Sequence, residues 1–371
     1  MGKKIFVTRS SMPPLDDFVG MLQQLWDSRR LTNMGTLHSE LEAKLKEYLN
    51  VEGISLMVNG HMSLEMALSA LKLPNGGEVI TTPFTFISTT HAIVRSGLKP
   101  IFCDIKMSDF TIDEEKIEAL INENTVAILP VHVYGNVCAV ERIQEIADKY
   151  NLKVIYDAAH AFGVTYKGKG VGAFGNASVF SFHATKVFHT IEGGAVTFHN
   201  PELYKTLYNL KNFGIRSEEV VAEVGANAKL NEFCAAMGLC NLQHIDDEIA
   251  KRKYVTEKYR ELLSEVRGIR VLESKPEVVS NYAYFPILID ETEYGRTRDE
   301  VYDTLKENNI YSRKYFYPLT SDQACFRNKY QTVPLNNARY VSDRILVLPL
   351  YADLSLENVE WIVKLIREEI S

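Results

Sequence analysis

Residues 153–160 read KVIYDAAH and residues 177–195 read ASVFSFHATKVFHTIEGGA. Both stretches open with a mostly apolar run, Lys153–Tyr156 and Ala177–Phe182, of the kind that forms a buried strand. The first run leads directly into Asp157, and the second leads into a loop that contains Lys186. Reactive side chains just beyond strand ends are typical of an open α/β sheet, which binds ligands at the carboxyl ends of its strands.

Further strand candidates lie on either side of these two stretches. They are Ile54–Val58, Glu78–Thr82, Pro100–Ile105, Thr125–Val131 and Ala195–Phe198. Apolar residues at helical spacing lie between them, at Leu37, Leu41, Leu45 and Leu49 and at Val140, Ile143, Ile146 and Ala147. Strands that alternate with helices need crossover connections, which make neighbouring strands parallel. We therefore predict an α/β fold with a mostly parallel central sheet flanked by helices.

The pattern changes after about residue 245. A long charged helix is predicted over Ile249–Val266, followed by a strand signal at Tyr284–Ile289 and a helix signal at Thr297–Asn308. A chain of 371 residues is also too long for one small core. We expect a large domain over residues 1–245 and a smaller α+β domain over residues 246–371.

Composition argues against several classes of protein. The net charge of −7 leaves no basic surplus to neutralise a phosphate backbone, so no nucleic-acid partner is expected. No stretch approaches the roughly 18 apolar residues of a membrane span. The five cysteines are odd in number and show no CxxC pairing, which favours reduced thiols over a disulfide framework. We expect a soluble, cytoplasmic protein without a membrane partner, and we assign no metal site.

Asp157 is a carboxylate at the end of a predicted buried strand, and His160 follows three residues later. A buried aspartate needs a cationic partner. A pyridinium nitrogen would be such a partner, and the carboxylate would keep it protonated so that the ring can accept electrons. His160 would then lie near the phenolic oxygen of the ring. A helix N-cap aspartate beside a structural histidine is the alternative interpretation.

Lys186 closes the segment Ser181-Phe182-His183-Ala184-Thr185-Lys186. A lysine just beyond a buried strand is poorly placed for a solvated charge, and its amine is what an aldehyde cofactor needs for a Schiff base. Ser181 would hold the cofactor phosphate, and the Gly193-Gly194 turn would let the chain reverse beside the ring. Taken alone, such a lysine would be interpreted as a surface residue.

Two further strand ends fit the same cofactor. Asn59-Gly60-His61-Met62 is a strand-to-helix junction, whose free backbone N–H groups and helix dipole suit a phosphate monoester. Thr82-Pro83-Phe84-Thr85-Phe86 offers an aromatic side chain that would stack on a flat ring, although either phenylalanine could instead be a core residue. The four strand ends together indicate pyridoxal 5′-phosphate (PLP).

These residues, in this order, resemble the DegT/StrS family of fold-type I, PLP-dependent nucleotide-sugar aminotransferases. The resemblance covers nearly the whole chain, from Leu31-Thr32-Asn33-Met34-Gly35 to LVLPLYADLS near its end. Its most specific part is the D-x-x-H pair, the S-F-H-x-x-K segment and the two glycines that follow. The resemblance implies the fold-type I architecture and a transamination reaction.

The resemblance also implies a role for each matched residue. Lys186 would be the catalytic Schiff-base lysine and Asp157 the catalytic partner of the pyridine nitrogen, while Phe86 is the phenylalanine expected to stack on the ring. With Gly60, His61 and Met62 from the strand-to-helix junction, the expected cofactor-binding residues are Gly60, His61, Met62, Phe86, Asp157, His160, Ser181, Lys186 and Asn227. Asn227 would reach the cofactor phosphate of the neighbouring subunit, which implies a homodimer with shared active sites.

The chain departs from the family pattern in two places, at the His61-Met62 junction and at Lys229. His61 and Met62 stand where a threonine and a small residue are common, so a hydroxyl contact to phosphate is missing there although the backbone amides remain. Lys229 stands where arginine is common in the family. A bidentate hydrogen-bonded contact to the substrate phosphate would therefore be replaced by the single charge of an ammonium group. The family's dehydratase branch has histidine in place of the catalytic lysine, and the retention of Lys186 favours transamination.

The substrate expected from the resemblance is a nucleotide-linked keto-6-deoxy sugar, with glutamate as the amino donor. The local motifs resemble the sub-group that aminates dTDP-4-keto-6-deoxyglucose at carbon 4, and amination of a 3-keto isomer at carbon 3 is the alternative. A non-catalytic homologue that binds PLP or a nucleotide-sugar is a third interpretation. Sugar-contact candidates, each of which could instead be a solvated or structural residue, are Asn33, His183, Lys229, Arg313 and Tyr315.

Overall fold

The computed structural model describes residues 4–330 and 333–367 of the chain. Its strands, numbered in chain order, are β1 Ile5–Phe6, β2 Gly53–Met57, β3 Glu78–Thr81, β4 Lys99–Phe102, β5 Thr125–Leu129, β6 Lys153–Asp157, β7 Thr165–Tyr166, β8 Lys169–Gly170, β9 Ala177–Ser181, β10 Gly194–Phe198, β11 Ile215–Ser217, β12 Val220–Val221, β13 Ile269–Val271, β14 Val278–Val279, β15 Phe285–Ile289, β16 Ile310–Tyr311 and β17 Ile345–Leu348.

The α-helices are α1 Leu15–Ser28, α2 Thr36–Tyr48, α3 Gly60–Ala70, α4 Ile87–Arg95, α5 Val140–Tyr150, α6 Glu202–Leu210, α7 Glu232–Leu242, α8 Ile245–Leu263, α9 Glu291–Tyr294, α10 Arg298–Glu307, α11 Asn336–Arg344 and α12 Leu356–Arg367. Short 3₁₀ turns lie at Glu114–Lys116, Glu118–Leu120, Val133–Gly135, Val171–Ala173 and Thr320–Asp322. None of the helices in the described ranges is long and apolar enough to cross a membrane.

A seven-stranded sheet forms the centre of the molecule, in the order β2-β10-β9-β6-β5-β3-β4. Strands β9, β6, β5, β3 and β4 run parallel, and β10 runs antiparallel to both of its neighbours. The predicted α/β fold with a mostly parallel sheet is confirmed. Its parallel strands are buried almost throughout because helices cover both faces.

Most of the predicted elements match the observed ones within a few residues. Helix α2 buries Leu37, Leu41 and Leu45 as the four-residue spacing predicted. The strand predicted at Pro100–Ile105 is shorter, since β4 ends at Phe102 and the chain then turns toward an isolated bridge at Ile105. Helix α8 begins four residues before the predicted Ile249.

The C-terminal part of the chain builds a second, smaller core. An antiparallel sheet, β13-β15-β17, packs with α8, α10 and α12 around residues such as Ile287, Leu305 and Ile362. Ile5 belongs to the same apolar cluster, because β1 pairs in parallel with β16. We propose that the domain boundary lies near residue 245, where α8 begins, with the N-terminal strand packed on the small domain.

Candidate active site

Asp157 lies at the carboxyl end of β6 and is 5% exposed. Its Oδ2 accepts a hydrogen bond from Thr89 Oγ1 at 2.7 Å, and its Oδ1 accepts one from the Ala159 amide at 3.1 Å. Burial raises the pKa of the Asp157 carboxyl above its usual range, although these two donors and the charge of Lys186 oppose the shift. Across the described ranges, no salt bridge reaches this carboxylate, so it is a buried acid without a close cation.

His160 is buried beside Asp157 in the loop that follows β6. Its Nδ1 accepts a hydrogen bond from the Tyr134 backbone amide at 3.0 Å. Burial, with a smaller effect from the charge of Lys186, lowers the pKa of His160 well below its usual value. The imidazole is therefore neutral, and because Nδ1 accepts, Nε2 carries the proton and is available as a donor.

Lys186 lies in the loop between β9 and β10 and is partly buried. Its Nζ donates a hydrogen bond to the Tyr284 hydroxyl at 3.3 Å and lies 5.7 Å from the centre of the Tyr284 ring. The Tyr284 ring in turn lies 4.8 Å, centre to centre, from the His160 ring. The fold therefore brings Asp157, His160 and Lys186 into one cluster.

Two residues near the amino end of β15 complete this cluster from the C-terminal half of the chain. Tyr284 contributes the hydroxyl that contacts Lys186. Asn281 is 1% exposed, and its Nδ2 donates to the carbonyl oxygens of His160 and Phe162, both at 2.9 Å. The cluster therefore draws on the large sheet and on the smaller C-terminal part together.

A second group of residues lies where α3 begins. A Cβ atom built on Gly60 would lie 2.7 Å from Ser181 Cβ, and one built on Gly194 would lie 2.7 Å from the Asn59 carbonyl carbon. Only glycine permits these approaches, so the start of α3 packs directly against the ends of β9 and β10. The Ser181 hydroxyl and the first backbone amides of α3 thereby share one small space.

The side chains of the α3 N-terminus are already engaged. Asn59 caps the helix, because its Oδ1 accepts a hydrogen bond from the Met62 backbone amide at 2.8 Å. His61 Nδ1 lies 2.9 Å from Ser88 Oγ, and its Nε2 lies 3.0 Å from Glu65 Oε1. The amides of Gly60 and His61 precede the first intrahelical hydrogen bond, so they are the donors that α3 can offer an anion.

The two phenylalanines of the 82–86 segment have opposite environments. Phe84 is fully buried and packs edge-on against Phe110, Tyr134 and Phe316. Phe86 is 56% exposed at the start of α4. Phe84 is therefore a core residue, and Phe86 has a free face.

Phe86 borders an open cleft of about 460 Å³ that Arg313 and Tyr315 also line. The Arg313 guanidinium lies 4.9 Å from the centre of the Tyr315 ring. The Tyr315 ring packs edge-on against the Tyr284 ring, with 5.8 Å between their centres. The backbone carbonyl oxygen of Tyr315 accepts a hydrogen bond from the Tyr134 hydroxyl. The cleft is thus connected, through Tyr315 and Tyr284, to the Lys186 cluster.

The other predicted sugar contacts lie on exposed loops. His183 is in the Lys186 loop, with Nδ1 2.8 Å from Thr185 Oγ1. Asn33 has a left-handed backbone with φ of 62° in the loop before α2, and its carbonyl oxygen accepts a hydrogen bond from Arg30. No contact of either side chain with Asp157 or Lys186 is found among the residues that the structure describes.

Asn227 and Lys229 lie away from the Lys186 loop, on the segment that leads into α7. Asn227 is exposed and forms an isolated bridge with Asn212. Lys229 Nζ donates to Asn212 Oδ1 at 2.8 Å, and partial burial lowers the pKa of this lysine. Neither side chain contacts the Asp157 cluster in the described part of the chain.

The family model for DegT/DnrJ/EryC1/StrS aminotransferases matches residues 15–367. The chain belongs to this aminotransferase family. This aminotransferase is 44% identical over 368 residues to the dTDP-4-amino-4,6-dideoxy-D-glucose transaminase of Shigella dysenteriae, and the match covers 99% of this chain and 100% of that one. It is 45% identical to the Escherichia coli enzyme of the same name, over 98% of each chain.

A solved structure of DesI, determined in the presence of its TDP-sugar product, is similar to this aminotransferase throughout. The TM-score is 0.95 at 31% sequence identity, over 99% of this chain and 93% of that one. The relatives and the fold agree with the family that the sequence motifs indicated. The chain is a sugar aminotransferase.

Sequence reasoning missed several polar partners in this aminotransferase's site. Thr89 lies in the first turn of α4, and only its four-residue spacing from Thr85, which precedes the helix, could have suggested that the two hydroxyls lie close together. Tyr284 and Asn281 carried no local signal, since they approach the site from the other end of the chain. Within the described ranges, no group of three or more potential ligand side chains could hold a metal ion.

Proposed function

We propose that this aminotransferase binds PLP between Asp157 and Lys186. The observation that carries the proposal is the buried carboxylate of Asp157, which lies in one cluster with an amine and a neutral imidazole but forms no close ion pair among the described residues. A charge buried in this way is costly unless a cation joins it. The protonated nitrogen of a pyridine ring would be such a cation.

Three further features support the fit of PLP. The proton on His160 Nε2 suits a hydrogen bond to the phenolic oxygen of the ring. The exposed face of Phe86 suits stacking on a flat heterocycle. The close packing of Gly60 against Ser181 gathers a hydroxyl and free amides where a phosphate group would be held.

When bound, PLP supplies an aldehyde for amines and a ring that takes up the electrons of a broken C–H bond. Lys186 Nζ is the amine that would hold that aldehyde until an amino donor takes its place. Lys186 Nζ would then act as a general base that takes the proton from the donor's α-carbon, and as a general acid that gives this proton to the cofactor carbon that had carried the amine. Asp157, whose carboxylate is oriented by the Thr89 hydroxyl and the Ala159 amide, would keep the ring nitrogen protonated.

The proposed substrate is dTDP-4-keto-6-deoxyglucose, aminated at carbon 4, with glutamate as the donor. Support comes from the names of two relatives at 44% and 45% identity over almost the whole chain, and from the TDP-sugar product with which the structurally similar DesI was studied. Amination of a 3-keto isomer at carbon 3 is the second candidate. The keto-sugar would enter through the cleft beside Phe86, where Arg313 offers charge to the diphosphate and Tyr315 an aromatic face.

We further propose a homodimer in which Asn227 crosses to the partner's phosphate site. Its side chain is exposed and lies on a segment braced by Val58, whose amide donates to the Ala228 carbonyl at 2.8 Å. The β11–β12 hairpin nearby exposes Val220 and Val221, and Val224 beyond it is completely exposed. An apolar patch of this kind on a folded chain is typical of an interface.

The test is mass spectrometry of the products formed from glutamate with dTDP-4-keto-6-deoxyglucose or with its 3-keto isomer. We expect an amino-sugar from the 4-keto substrate together with 2-oxoglutarate. Product from the 3-keto isomer alone would transfer the assignment to carbon 3. A PLP-loaded protein that glutamate leaves unchanged, and that forms no amino-sugar, would contradict the proposal.

A further inference from the structure

Tyr284 is the residue whose hydroxyl accepts the hydrogen bond from Lys186 Nζ, at 3.3 Å. The lysine side chain has a flexible four-carbon stem and loses considerable rotamer entropy when its end is fixed. In a lysine that must leave its cofactor and then move a proton, the free amine has to remain near the reacting carbon. A fixed acceptor for that amine therefore has a purpose beyond packing.

The position of the Tyr284 ring is determined by its aromatic neighbours. Its centre lies 4.8 Å from the His160 ring, 5.9 Å from Tyr134 and 5.8 Å from Tyr315. The Tyr315 contact is edge-on, with an angle of 83° between the rings. Because rings surround Tyr284 in this way, its hydroxyl has little freedom to follow a moving lysine.

The backbone of Tyr284 is fixed as well. Asn281 donates two hydrogen bonds of 2.9 Å to His160 and Phe162, and its Oδ1 accepts the Ala283 amide at 3.1 Å. Tyr282 has a left-handed backbone with φ of 51°, and its amide donates to Ser280 Oγ at 3.0 Å. Residues 280–284 therefore form a well-fixed segment, which Asn281 attaches to the His160 loop.

We propose that Tyr284 is a positioning residue that holds the free amine of Lys186 between its release from the cofactor and its proton transfer. The hydrogen bonds of Asn281 fix the backbone segment that carries Tyr284. This inference rests on the proposed role of Lys186 as both the PLP-binding amine and the proton carrier. The hydroxyl is required after displacement of Lys186 and contributes little while the amine is bound covalently.

The test compares Tyr284→Phe with the wild type, using Tyr282→Phe as the matched control that removes a hydroxyl two residues away. In the cofactor-free proteins, labelling of Lys186 by trinitrobenzenesulfonate is followed by peptide mass spectrometry. We expect labelling of Lys186 to be several-fold faster in Tyr284→Phe, because its amine has lost its acceptor, and unchanged in Tyr282→Phe. Equal labelling in all three proteins would overturn the proposal.

The second readout uses the PLP-loaded proteins with ordinary and α-deuterated glutamate. Loss of one hydrogen bond should slow the single-turnover rate roughly 10-fold in Tyr284→Phe, and the deuterium isotope effect should grow while the PLP dissociation constant stays unchanged. A matching loss of PLP affinity, or an unaltered isotope effect, would overturn the positioning role. The labelling arm needs no amino donor, so it remains decisive even if the proposed transamination fails.

Discussion

Thr89 Oγ1 donates a 2.7 Å hydrogen bond to Oδ2 of Asp157, and Thr85 Oγ1 lies 2.9 Å from the same threonine hydroxyl. Helix α4, which begins next to Phe86, therefore also sets the orientation of the carboxylate that we propose to pair with the ring nitrogen. The start of α4 therefore positions both Phe86, which we propose stacks on the cofactor ring, and Thr89, which orients the carboxylate proposed to pair with the ring nitrogen.

Removing the Thr89 hydroxyl should weaken the site without unfolding it. Hydrogen bonds to charged groups contribute about 1.5–3 kcal/mol, so Thr89→Val should raise the PLP dissociation constant roughly 10-fold or more. Fluorescence titration of cofactor-free protein measures this constant. Thr90→Val is the control, because the Thr90 hydroxyl bonds to Thr320 instead. An equal loss of affinity in both variants would argue against a specific link to Asp157.

Adding one methyl group at Gly60 should disrupt the proposed phosphate site. The new Cβ would lie 2.7 Å from Ser181 Cβ, so Gly60→Ala must push α3 away from β9. We expect weaker PLP binding and a loss of about 1–3 kcal/mol in the free energy of unfolding, measured by urea denaturation.

Gly20→Ala is the matched control for Gly60→Ala. Gly20 lies inside α1, and a Cβ built there meets nothing within 4 Å. Alanine should stabilise that helix by about 0.5–1 kcal/mol and leave PLP binding unchanged. Normal PLP affinity in Gly60→Ala would show that the start of α3 does not form the phosphate site.

Buried histidines should make the folded chain sensitive to mild acid. Burial lowers the pKa of both His38 and His132 to about 3, with the charge of Lys211 adding to the shift at His38. Each pKa is lower in the folded chain than in the unfolded chain, where histidine titrates near pH 6.5, so the unfolded state binds more protons below that pH. The free energy of unfolding should therefore fall below pH 6.5, by up to about 1.4 kcal/mol per pH unit for each histidine.

His132→Asn tests this acid sensitivity at one position. The Cys138 amide donates a hydrogen bond to His132 Nδ1 at 3.1 Å. Asparagine at position 132 keeps a side-chain acceptor for this amide but does not titrate. Urea denaturation between about pH 7.5 and pH 5, a range that spans the ordinary pKa of histidine, should show a shallower pH dependence in this variant. The same slope in variant and wild type would mean that His132 does not contribute.

Shared active sites predict recovery of activity when two inactive variants are combined. Lys186→Ala removes the proposed amine, and Asn227→Asp places a negative charge where we propose that the partner's phosphate lies. In a mixed dimer, the Asn227→Asp subunit still has Lys186, and the Lys186→Ala subunit still has Asn227. If Asn227 crosses between subunits, these two residues meet in one complete active site. Co-expressed variants should therefore regain transaminase activity that neither has alone. No recovery, in a preparation shown to contain mixed dimers, would contradict the crossing of Asn227.

The sequence predicted the strand ends well because each depends on local information. An apolar run such as 153–156 identifies a buried strand, and the residue after it, Asp157, must lie at the sheet edge. The pairing of parallel strands then brings Asp157 and the Lys186 loop together, since β6 and β9 are neighbours.

The polar contacts within the site were beyond local reasoning. Thr89 lies 68 residues from Asp157, Tyr284 lies 98 residues from Lys186, and Asn281 lies 121 residues from His160. Such contacts depend on how the C-terminal part packs against the large sheet, and no periodicity in the sequence encodes that packing. The family resemblance favoured Phe86 over Phe84, but local reasoning left open which of the two is a core residue, and the folded chain shows Phe84 buried and Phe86 exposed.

The central claim is that Lys186 is the amine that holds the cofactor. Borohydride reduction of the PLP-loaded protein makes that bond permanent, and peptide mass spectrometry then locates the added cofactor mass. We predict a single modified peptide carrying the cofactor on Lys186. Modification of another lysine, such as Lys211 or Lys229, or no modified peptide at all, would contradict the account.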